Sequence, residues 1–215
     1  MNNDVKKIYN DNFNFNFKAA VYNNIKIATN AYALFLKENE DFFSFDKKST
    51  LLGHLLTYVV EKQFSDSSFS AKAPYSVSLE VVNRCKHKAL FLESNNFKLT
   101  IGRTLKSNKL PCSSKYKLQL AKENYSFEDQ IQLQTNNQLS VFTEKKYAII
   151  TYNYYMNNLT HLNIVIPTED YKDIYYKESL LNNVETYNNY IPKEIEEETV
   201  ARLKNSLNIK ANKIV

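Results

Sequence analysis

The sequence predicts an α+β fold: a mainly antiparallel sheet of five or six strands, with two N-terminal helices and further C-terminal helices. Three observations predict it. Apolar residues recur at helical spacing over residues 20–38 and again after Ser49 and Thr50; beyond residue 75 the chain breaks into short β-rich runs parted by Asn-containing turns; and helical patterning returns after Pro192. The composition suits a packed core, with 43% hydrophobic and 24% charged residues in 215.

Taken in order, residues 12–18 alternate strictly, placing Phe13, Phe15 and Phe17 on one face of a strand and Asn14, Asn16 and Lys18 on the other. A helix is expected over about 20–38, from Val21, Ile25, Ala28, Tyr32 and Phe35. Ser49 and Thr50 then supply a hydroxyl cap for a second helix, whose broad stripe from Leu51 to Phe64 reads as the most buried in the chain. The Ser-rich stretch 65–74, ending at Pro74, marks a soft boundary between residues 1–64 and a sheet domain of residues 75–215, which could equally form one domain. Strands are expected at 75–82, 88–93, 97–104, 139–143, 147–155 and 159–166. Hairpin turns are expected at Ser94-Asn95-Asn96 and Met156-Asn157-Asn158, since Asn tolerates positive φ. Residues 147–166 are apolar on both faces, as strands inside a sheet are. Helices are expected at about 116–133, 170–181 and 193–207, the last with acids early and bases late to suit the helix dipole.

An alternating strand followed by two helices, the second opened by Ser49 and Thr50, resembles the ribbon-helix-helix family of DNA-binding proteins over residues 12–64. The resemblance implies a homodimer whose paired strands read DNA through Asn14, Asn16 and Lys18, with the amides at Ser49 and Thr50 on a phosphate. The long first helix, the greasy connection with Phe42, Phe43 and Phe45, and the missing Gly-containing turn depart from the family pattern.

The net charge of +5 is the residue of two opposed blocks. Residues 84–122 hold ten basic side chains and one acid, whereas residues 126–190 hold four basic and eight acidic. The ten are Arg84, Lys86, Lys88, Lys98, Arg103, Lys106, Lys109, Lys115, Lys117 and Lys122. Such a concentration makes a positive surface unless the acidic block folds over it, and it suits phosphates, with Ser113 and Ser114 adding hydroxyls. The expected partner is nucleic acid or an acidic protein or nucleoprotein surface.

Only two glycines, Gly53 and Gly102, occur, so a phosphate-cradling Gly loop and a dinucleotide fingerprint are excluded. The histidines His54, His87 and His161 show no metal-ligand spacing, and neither a metal nor a cofactor is expected. Cys85 lies among cations beside His87, the setting of an activated thiolate. Asp129 followed by Glu144 and Lys146 matches the bare carboxylate and Glu-x-Lys spacing of Mg²⁺-dependent nucleases, a catalytic alternative to a purely binding protein. Two cysteines, no long apolar window and a polar start predict a cytoplasmic protein without a membrane span. The Asn-, Lys-, Ile- and Tyr-rich usage reads as AT-rich coding, as in low-GC bacteria and their phages or mobile elements. In such a setting a regulator or an inhibitor of a host defence nuclease is expected.

Overall fold

The structure, a computed structural model, describes residues 9–44, 48–66, 74–125, 145–189 and 193–211. Its fold is α+β, with a six-stranded mixed sheet in the order β1 to β6. The strands are β1 (Ser76–Val81), β2 (Lys88–Glu93), β3 (Phe97–Arg103), β4 (Lys146–Tyr155), β5 (Asn158–Pro167) and β6 (Ile174–Ser179). Every neighbouring pair is antiparallel except β3 with β4, which run parallel from Phe97↔Lys146 to Arg103↔Tyr152. The sheet is thus two three-stranded meanders joined along one parallel seam. The C-terminal ends of β1, β3, β4 and β6 lie together, and with them the loop 82–87, the start of the segment after β3, and the β4–β5 hairpin.

Residues 9–12 are helical, and after a break at Phe13 and Asn14 follow the helices α1 (Phe15–Glu38), α2 (Lys48–Ser65), α3 (Lys115–Ala121), α4 (Val184–Asn188) and α5 (Lys193–Ala211). α1 and α2 pack on the inner face of the sheet, α5 packs along α1, and one cluster joins Phe17, Val21, Ile25, Leu56, Val60, Leu203 and Leu207 to Leu92, Leu99, Ile150 and Ile164. The N-terminal helices and the sheet therefore share a core. The outer face carries α3 over a smaller cluster of Ala121, Tyr147, Ile149, Val165 and Tyr171. β4 alternates between the two, with Ala148, Ile150 and Tyr152 inward and Tyr147 and Ile149 outward, as its two-sided apolar sequence predicts.

Residues 12–18 do not form the strand their alternation predicts. Asn14 is the N-cap of α1, its side-chain oxygen accepting from the Phe17 N–H at 3.0 Å, and the helix runs on for 24 residues. Phe13 and Phe17 are four apart and both buried, whereas Phe15 faces outward, 47% exposed. Phe13 meets Tyr9, Phe17 and Phe97, and Phe17 meets Tyr75 edge-on, with ring centroids 4.7–5.3 Å apart. The cap at Asn14 outweighs the β preference of Phe, because Phe13 just before it and Phe17 in the first turn of α1 both reach that cluster. Nor is α2 the most buried helix: α1 is, with buried residues running unbroken from Phe17 to Ile25, while Leu51 of α2 stands 49% exposed. The long contact surface of α1 admits buried amides as well. Asn24 donates to Ala20 O and Tyr75 Oη, and Gln63 of α2 donates to Asn24 Oδ1 at 2.9 Å.

Residues 174–179, expected within a helix, form the edge strand β6. Thr168 and Asp170 close a side-chain turn, with Thr168 Oγ1 donating to Asp170 Oδ1 and the Asp173 N–H donating to Thr168 Oγ1; Tyr171 takes φ 59°. This turn aims Ile174 and Tyr176 along the open edge of β5, where their β preference is satisfied. Met156 and Asn157 both take positive φ at the β4–β5 hairpin, as its Asn-rich turn predicts for Asn157. The strand expected at 139–143, the stretch 67–73 and the helix expected beyond residue 125 lie outside the described residues.

Candidate nucleic-acid interface

Two loops and one helix carry the basic block. In the β1–β2 loop, the Asn83 side chain accepts from the His87 N–H at 2.9 Å, Val82 N–H donates to His87 O, and Lys86 takes φ 58°. This tight turn leaves Arg84, Lys86 and Lys88 exposed. The segment after β3 is pinned at successive points: Thr104 N–H to Tyr152 O at 3.0 Å, Thr104 Oγ1 to His161 Nε2 at 2.8 Å, and Tyr171 Oη donating to Pro111 O at 3.2 Å. Between these anchors Lys106 and Lys109 project from a loop closed by a Lys109 N–H to Lys106 O bond. Pro111 lies against Gly102 of β3, so closely that a β-carbon there would meet Pro111 Cγ at 2.4 Å. α3 then crosses the outer face, its Tyr116 ring edge-on to Phe91 at 6.1 Å, with Lys115 and Lys122 exposed.

Seven of the ten cations are therefore exposed and have no acidic partner among the described residues. The other three are drawn in. Lys98 pairs with Glu80 at 2.7 Å and Glu93 at 3.6 Å and sits 4.3 Å above the Phe91 ring. Arg103 belongs to the inner face, its Nε donating to Asn153 Oδ1 at 3.2 Å and its guanidinium beside Gly53 of α2. Lys117 donates to Cys112 O at 3.1 Å, and burial lowers its pKa.

Among the described residues, the acids of the acidic block make no ion pair with this surface. Of its described acids, Glu178 pairs with Lys18 of α1 at 2.9 Å and Asp170 pairs with Lys172 beside it. Asp170 and Glu169 sit in the β5–β6 loop, at the sheet end opposite the β1–β2 loop. Among the described residues, no ion pair joins residues 84–122 to an acid of residues 126–190. Glu93 serves Lys145 as well as Lys98, and the hydrogen bond from Lys145 leads the causes that hold its carboxyl below the usual range.

The other candidates separate. Asn14 is the α1 cap, Asn16 is exposed on its first turn, and Lys18 is buried against Glu178 and Asn10, so the three do not share a strand face. Ser49 and Thr50 lie within the first turn of α2. Asp129 and Glu144 lie outside the described residues, and the Lys146 ammonium is buried, donating to the carbonyls of Glu123 and Tyr125 after α3. No group of three metal-ligating side chains occurs among the described residues. No helix among them is long and apolar enough to cross a membrane.

No family model, curated protein or solved structure matches the chain. The geometry does reveal side chains that residue counting passes over. Leu105, Tyr155 and Met156 stand exposed at the end of the sheet that carries the basic loops. The only signal in the sequence was Tyr155-Met156 abutting a two-residue turn.

His161 couples this end of the sheet to pH. It is buried beneath the segment after β3, and burial first, then Lys177, lowers its pKa below the usual imidazole value of about 6.5. Below that value the unfolded chain takes up the proton more readily than the folded one, so stability falls as pH drops through the window beneath 6.5. Thermal melts between pH 7.5 and 5 should show a fall in wild type that His161→Gln reduces; equal slopes for both would refute the assignment.

Proposed function

We propose that the protein acts by binding nucleic acid, through the β1–β2 loop, the loop after β3 and the outer side of α3. One observation carries the reading: Arg84, Lys86, Lys88, Lys106, Lys109, Lys115 and Lys122 remain exposed and without an acidic partner among the described residues, where Glu178 pairs with Lys18 and Asp170 with Lys172. Phosphates bound at exposed, unpaired cations release condensed counterions, and that release favours binding. The pinned loop keeps Lys106 and Lys109 in place before contact, so less conformational freedom is lost on binding.

The test is a salt titration. Fluorescence anisotropy with a labelled oligonucleotide should show affinity falling steeply between low and physiological salt, with a log–log slope of about −0.7 to −0.9 per phosphate engaged. Reversal of Lys86, Lys106, Lys109 and Lys115 to Glu should flatten that slope by about 3 and weaken binding at least about tenfold. These side chains are exposed, so the fold should be little affected. Binding that is absent, or indifferent to salt, would refute the proposal.

A further inference from the structure

We infer that the nucleic acid bound at this surface is single-stranded, with its unpaired bases stacking on an apolar tip formed by Tyr155, Met156 and Leu105. The inference rests on the nucleic-acid reading above and specifies its ligand. Exposure is the first support: Leu105 is 85%, Met156 74% and Tyr155 58% exposed, at the end of the sheet that carries the basic loops. Isolated exposed apolar residues are ordinary, but three at one end, set among unpaired cations, form a composite surface.

Position is the second support. Thr104 N–H bonds to Tyr152 O, so the segment carrying Leu105, Lys106 and Lys109 leaves β3 alongside the last turn of β4, three residues before Tyr155. The tip itself is stiff. Met156 and Asn157 hold left-handed φ of 48° and 62°, Asn158 Nδ2 donates to Met156 O at 2.9 Å, and Asn153 Nδ2 donates to Thr160 Oγ1 across the strands beneath. A rigid ring loses little freedom when a base stacks on it.

The chemistry of the ligand follows. Stacked base pairs in a duplex hide their faces and offer phosphates and groove edges, which would leave Leu105, Met156 and the Tyr155 ring in water. An unpaired strand offers phosphates for Lys106 and Lys109 together with free base faces for the tip, and such stacking tolerates any sequence.

The experiment uses the full-length chain with a labelled oligothymidylate of about 20 nucleotides, a mixed-sequence duplex of equal length, and vesicles of phosphatidylcholine with phosphatidylglycerol. The expected result is single-strand binding at least about tenfold tighter than duplex binding, lowered roughly 5- to 100-fold by Tyr155→Ala, retained by Tyr155→Phe, and with the salt slope unchanged. A urea melt of each variant verifies that the hairpin change leaves the fold intact. Equal or tighter duplex binding, or a Tyr155→Ala variant indistinguishable from wild type, overturns this inference and leaves the wider nucleic-acid reading standing. Failure to bind either oligonucleotide overturns both, and vesicle sedimentation that Met156→Ser abolishes would then assign the surface to an anionic membrane.

Discussion

Replacing Phe13 or Phe17 by alanine is expected to lower stability by about 3–5 kcal/mol each, whereas Phe15→Ala should cost about 1 kcal/mol or less. Urea midpoints at constant m-value would measure all three. The asymmetry follows from α1. Phe13 is fully buried and Phe17 is 1% exposed; both rings lie within the chain of contacts from Tyr9 to Phe97 and Tyr75, so their removal opens cavities where the N-terminal helix meets β3. Phe15 lies outside that chain of rings, with Tyr187 at a centroid distance of 5.7 Å, and is half in water. A strand would have placed all three rings on one face and made the three losses alike. A cost for Phe15→Ala equal to the others would overturn the helical start of α1.

Gly102→Ala is expected to cost about 1–3 kcal/mol, although it adds one methyl group to a strand. The new β-carbon would sit 2.4 Å from Pro111 Cγ and 2.9 Å from Pro111 Cβ. A proline ring cannot swing aside as a long side chain does, so the backbone at Pro111 must move. That movement strains the Tyr171 Oη bond to Pro111 O and loosens the loop bearing Lys106 and Lys109. Pro111→Ala in the same chain should recover part of the loss, giving a coupling energy in a double-mutant cycle that distant sites lack. A neutral Gly102→Ala would show that the close approach does not hold the loop.

Much of the sheet was legible because its signals are local. The runs at 88–93 and 97–104 and the Asn turns mark hairpins by chemistry that neighbouring residues decide, and β2 and β3 fall within a residue of their expected bounds. The failures occurred where a distant partner decides. Residues 13 and 17 satisfy both a period of two and a spacing of four, and only the aromatic cluster on Phe97 selects between them. β6 was hidden because the open edge of β5, which recruits it, is no property of residues 174–179.

The site divides in the same way. Ten cations between residues 84 and 122 could be counted, but their availability depends on the phase of the pleat. Lys98 points outward to Glu80 and Glu93, and Arg103 points inward under α2. The apolar tip was illegible for another reason: a Leu, Tyr or Met in a β-rich sequence is assigned to the core by default, and only a folded chain shows which of them has been left outside.

The parallel seam has a consequence for how the chain reaches this state. Each meander can zip from its own hairpins, events of about 1–10 μs. Joining β3 to β4 instead requires partners such as Thr100 and Tyr147, 47 residues apart, to find one another after the intervening chain has crossed the outer face. Chain-closure entropy therefore makes the seam the late step of assembly. Until it closes, the apolar flanks of β3 and β4 are open edges inviting a second copy, so the folding yield of this protein should fall with its concentration even where the finished fold is stable.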